Sequence, residues 1–81
     1  MAATWEQLKA RWQTDDGKER LAKVIEAAKK GEDWAAILEG FPFVEEVENG
    51  RDLRMADLRR AMLFRADLRR ADLKGANLMG A

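Results

Sequence analysis

The chain has 81 residues and a formal net charge of zero, with 37% charged and 47% hydrophobic residues. This fits one small globular domain with a thin core rather than a disordered segment. It contains no Cys, His, Ser or Tyr, and Thr4 and Thr14 are its only hydroxyls. The usual nucleophiles, the usual general base and the commonest metal ligands are missing, so no catalytic residue, metal site, cofactor or small-molecule substrate is expected.

No run approaches the roughly 18 apolar residues of a membrane span. The N-terminus lacks a basic start followed by an apolar stretch, so a cytoplasmic location and no membrane partner are expected. The zero net charge hides an asymmetry. Residues 1–50 carry seven Lys/Arg and eleven Asp/Glu, a balance of −4; residues 51–81 carry eight Lys/Arg and four Asp, a balance of +4. The two halves should attract, within one molecule or between two, and salt should weaken that attraction.

The first half reads as helices. Thr4-Trp5-Glu6-Gln7 is a capping-box pattern, and Trp5, Leu8 and Trp12 follow at helical spacing up to a turn at Thr14-Asp15-Asp16-Gly17. A second helix is predicted from Asp16 and Glu19. Its apolar face is Leu21, Val24, Ile25 and Ala28, and it ends on Lys29, Lys30 and Gly31. Asp33 is placed as the cap of a short third helix carrying Trp34, Ile37 and Leu38, closed by Gly40 and Pro42. Trp5, Trp12 and Trp34 are read as core or helix–helix packing, with an aromatic binding surface as the alternative.

The second half is a five-residue repeat. Leu recurs at 53, 58, 63, 68, 73 and 78, and Ala at 56, 61, 66, 71, 76 and 81. In an α-helix, five residues rotate about 500°, so these leucines would spread around the whole cylinder. In a flat strand an odd period sends successive leucines to opposite faces. A path that bends once per repeat keeps them all inside. Four bends close a square of twenty residues, and such coils stack at about 4.8 Å.

ADLRR, ADLRR, ADLKG and ANLMG resemble the pentapeptide-repeat family, whose pattern is A-(D/N)-L-X-X. The resemblance covers residues 51–81. It implies an α + β-helix architecture: an N-terminal helical cap over 1–40, then a short right-handed quadrilateral β-helix over 41–81. By the resemblance Leu53, Leu58, Leu63, Leu68, Leu73 and Leu78 point inward with Ala56, Ala61, Ala66, Ala71 and Ala76. Asp57, Asp67, Asp72 and Asn77 are placed to bond backbone at the corners, and the Arg and Lys side chains face water.

The departures from the pattern carry further expectations. Phe41-Pro42-Phe43-Val44 stands twenty residues before Ala61-Met62-Leu63-Phe64, in the same phase. A degenerate first coil over 41–50 is therefore expected, with Phe43 below Leu63, Phe41 below Ala61 and Val44 below Phe64. Glu48 breaks it by falling at an inward position, unless that stretch bulges outward. Met55, Met62, Phe64 and Met79 put apolar groups at outward positions and, with Leu78, are the interface candidates, unless the helices cover them. The chain stops at Ala81 without a visible cap, so a fragment of a longer solenoid or an end-to-end pair is expected.

The functional expectation is a non-catalytic interaction or scaffold module, with a second copy (a homodimer by coil-end stacking) or another protein as partner. Two alternatives are weighed. Mimicry of duplex DNA toward a topoisomerase, available from the resemblance, fits poorly a stack of two coils with Arg-rich faces. Nucleic-acid binding by Arg59/Arg60 and Arg69/Arg70 is disfavoured because these pairs lie on different faces with no aromatic platform but Phe64.

Overall fold

The computed structural model describes residues 2–59, 61, 63 and 66–80. Two α-helices come first, α1 (Trp5–Arg11) and α2 (Asp15–Lys29), followed by single 3-10 turns at Ala35–Leu38 and Val44–Glu46. α1 starts as its capping box dictates. The Thr4 hydroxyl accepts from the Gln7 N–H at 3.1 Å, and the Gln7 side chain accepts from the Thr4 N–H at 2.8 Å. α2 begins one residue before the expected Asp16. Its cap is Thr14, whose hydroxyl accepts from Gly17 N–H and donates to the Arg11 carbonyl, both at 2.9 Å. One threonine thus caps α2 and ties it to the end of α1.

α2 ends in a Schellman arrangement. Glu32 N–H donates to Ala27 O and Gly31 N–H to Ala28 O, with Gly31 at φ 72°, a conformation glycine adopts without penalty. The expected third helix is only a 3-10 turn, because few residues separate Gly31 from Gly40 and Pro42. Asp33 still accepts from Ala35 N–H. Arg20 donates to the carbonyls of Ile37 and Glu39, which the short turn leaves unbonded.

The expected degenerate coil over 41–50 is not what the chain forms. Phe43 sits at φ 68°, Val44–Glu46 is a 3-10 turn, and Glu48 is exposed. Among the described residues no backbone hydrogen bond joins this segment to 61–70; the one link is Asn49 Nδ2 to Arg70 O at 2.9 Å. An inward Glu48 would be an unpaired buried charge, and Glu48 is instead exposed. The pairing expected for Val44 involves Phe64, which lies outside the described residues.

From Arg51 the backbone turns once in every five residues. The N–H of Ala56, Ala61, Ala66, Ala71 and Ala76 each donates to the carbonyl of the leucine three residues earlier. The third residue of such a turn takes φ above zero when the turn is of type II. That place falls to Met55, Arg70, Gly75 and Gly80, at φ 60°, 67°, 70° and 74°. Each side is too short to hold a named strand, and among the described residues none occurs. Two isolated parallel bridges do occur, Asp52 with Asp72 and Asp57 with Asn77, each twenty residues apart. Five backbone hydrogen bonds of 2.9–3.0 Å run between residues 51–58 and 72–77 in this register.

One apolar cluster spans both halves, with Trp12, Val24, Trp34, Leu38 and Phe41 packed among Leu53, Ala56 and Leu58. Trp12 and Phe41 rings meet at 4.7 Å, tilted by 45°. Among the described residues no helix is long and apolar enough to cross a membrane.

Candidate interaction surfaces

The corners repeat one chemical device. The Oδ1 of Asp52, Asp57, Asp67, Asp72 and Asn77 each accepts the N–H two residues on, as expected for Asx residues at turns. Where that next residue is Arg, its guanidinium closes back on the same carboxylate, as in Asp57–Arg59 at 2.8 Å and Asp67–Arg69 at 3.0 Å. Arg59 lowers the pKa of Asp57, and Arg69 that of Asp67, by donating to the ionised form. Every described arginine in this slot is therefore already matched by an acid.

Asp52 is the buried member of the series. Burial pushes its carboxyl up, but hydrogen bonds from Arg54 and Arg11 outweigh that and hold it at about 2. Arg54, bonded to Asp52 and Glu46, is itself held in its charged form. Arg11 lies on the apolar side of α1 and uses all five of its N–H groups: on Leu8 O, Pro42 O, both Asp52 oxygens and Arg54 O. The Trp12 indole N–H also donates to Arg54 O, at 2.8 Å. On the adjoining part of the repeat, the Trp34 indole N–H donates to Asp67 O at 3.0 Å, and Asp67 N–H donates to Ala28 O at 2.9 Å. The helical segment supplies the hydrogen bonds that a preceding coil would supply. Trp12 and Trp34, read as packing groups, are also donors; Trp5 is not core, being 55% exposed.

The inward positions form a gradient. Leu53, Ala56 and Leu58 are fully buried next to the helices; Ala61, Leu63, Ala66, Leu68, Ala71, Leu73 and Ala76 are half-buried; Leu78 is 46% exposed. On the side away from the helices, the N–H groups of Leu63, Leu68, Leu73 and Leu78 and the carbonyls of Ala61, Ala66, Ala71 and Ala76 have no hydrogen-bond partner among the described residues. Of the interface candidates, Leu78 and Met79 stand at this edge, with Met79 75% exposed. Met55 is half-buried on another side, where its thioether lies against Gly75. Met62 and Phe64 lie outside the described residues.

A Leu in every fifth place, with Ala and Asx in most of the corresponding places, defines a five-residue repeat segment packed against helices. Residues 49–80 match the family described as pentapeptide repeats (8 copies). No curated protein and no solved structure matches the chain.

Proposed function

We propose that this chain is a non-catalytic protein-interaction module whose repeats form a right-handed quadrilateral β-helix, capped by the helices of residues 1–40, and that it pairs with a second copy through the edge away from those helices. Pentapeptide repeats imply a β-helix in general and an interaction role in general, and the twenty-residue register of the parallel bridges supports the square path. The observation that carries the pairing is the edge formed by the described residues between 61 and 80, with regularly spaced N–H and C=O groups that have no partner among the described residues and with partly exposed leucines. An edge of this kind templates another strand. The self-paired Asp–Arg corners favour a protein partner over nucleic acid, because Arg54, Arg59 and Arg69 are already neutralised.

Sedimentation equilibrium over a range of protein concentrations tests this. The 81-residue chain is expected to shift from monomer to dimer, and Leu78→Lys, at an exposed position, to remain monomeric with an unchanged circular dichroism spectrum. A wild-type chain that stays monomeric at all concentrations overturns the pairing.

A further inference from the structure

The helices and the repeat do not close on each other everywhere. A groove of about 690 Å3 runs between them, with Trp12 and Leu21 in its floor, Ala22 and Ile25 along α2, and Met55 and Gly75 along the repeat. That volume lies within the range of sites that receive ligands or anchoring side chains. Trp5 stands beside it. Its ring comes within 3.8 Å of the place a Cβ on Gly75 would take, next to the Met55 thioether, and more than half of the residue faces water. A half-exposed indole over a flexible thioether is the type of surface that anchors a partner.

The charges around the groove are one-sided. Asp57 and Arg59 on its rim satisfy each other. Lys9 and Lys18, also on the rim, enter no ion pair among the described residues. Lys18 follows the first turn of α2, where a cation opposes the helix dipole, so helix stability does not explain it. An apolar floor flanked by two uncompensated cations complements aliphatic side chains set among carboxylates. We infer that this groove docks an acidic, leucine-bearing peptide segment of another protein. The inference rests on the reading of the chain as an interaction module, but it uses a surface apart from the pairing edge, so the two can fail separately.

The test is fluorescence titration of the chain with a short synthetic peptide of alternating Glu and Leu pairs, and with a counterpart in which Lys replaces Glu. The acidic peptide is expected to saturate with a blue shift, to bind more weakly as salt rises, and to be bound equally by Leu78→Lys. The Lys peptide is expected not to bind. Lys9→Glu with Lys18→Glu, both exposed, should weaken binding by roughly tenfold, and Trp5→Phe should abolish most of the shift. Binding of neither peptide, equal binding of both, or an affinity unmoved by the double Lys variant overturns the inference. A monomeric wild type that still binds the acidic peptide removes the pairing and leaves the groove.

Discussion

Arg11 and Asp52 meet through both arms of the guanidinium, at 2.7 and 2.9 Å, although 41 residues separate them in the chain. Their side chains are 2% and 0% exposed. The pair fastens α1 to the first corner of the repeat at the point where Arg54 also arrives. It sets the position of the helices on the repeat more than it adds net stability, because desolvating two charges offsets much of their attraction.

Removing one partner is a different matter. Arg11→Met leaves Asp52 buried with Arg54 alone and should cost roughly 3 kcal/mol. Arg11→Met combined with Asp52→Leu should cost clearly less than the two single changes added together. Urea unfolding of the four proteins in a double-mutant cycle checks this; strict additivity would show that the pair is not coupled.

Asp52 also sets a pH dependence. Its folded pKa of about 2 lies below the unfolded value of 3.8. The stabilisation is therefore complete above pH 3.8 and is lost as pH falls toward 2, by about 2 kcal/mol. Asp52→Asn should be less stable at neutral pH yet lose less on acidification. Urea midpoints between neutral pH and pH 2 read the difference. Some slope should survive, since Asp57 and Asp67 are lowered as well.

The indole donors give a third expectation. Trp34→Phe keeps a large ring and removes the N–H that meets Asp67 O. The loss should be about 1–3 kcal/mol, with a part-buried carbonyl left short of a partner. Trp12→Phe should cost less, because Arg11 also donates to Arg54 O. Thermal unfolding of the two variants should therefore rank Trp34→Phe below Trp12→Phe.

Gly17 reverses a helix-propensity rule. Inside a helix, Gly→Ala ordinarily adds up to about 1 kcal/mol. A Cβ at Gly17 would instead overlap the Arg11 carbonyl and come within 2.9 Å of the Trp12 Cα. Gly17→Ala should lower stability by roughly 1–3 kcal/mol through overpacking of the α1–α2 corner, read as a lower melting temperature. A rise would mean that the corner yields easily.

The sequence alone determined what period and local chemistry can determine. A leucine in every fifth place excludes one-sided helices and strands, Thr4 and Gly31 mark helix ends, and the Asx corners follow from short side chains that reach the next N–H groups. Only the tertiary structure decided which residues meet across the chain. Arg11 and Asp52 carry no local mark that distinguishes them from Arg20 or from the other aspartates of the repeat; the pair becomes a buried clasp because helix and corner happen to adjoin. Trp5, Trp12 and Trp34 read alike as packing groups, yet Trp12 and Trp34 donate to backbone carbonyls while Trp5 stays in water, because burial is a property of neighbours rather than of spacing. The segment 41–50 shares the repeat's phase but not its path, since the two-residue pattern of acids at Glu46 and Glu48 makes an inward turn too costly in charge.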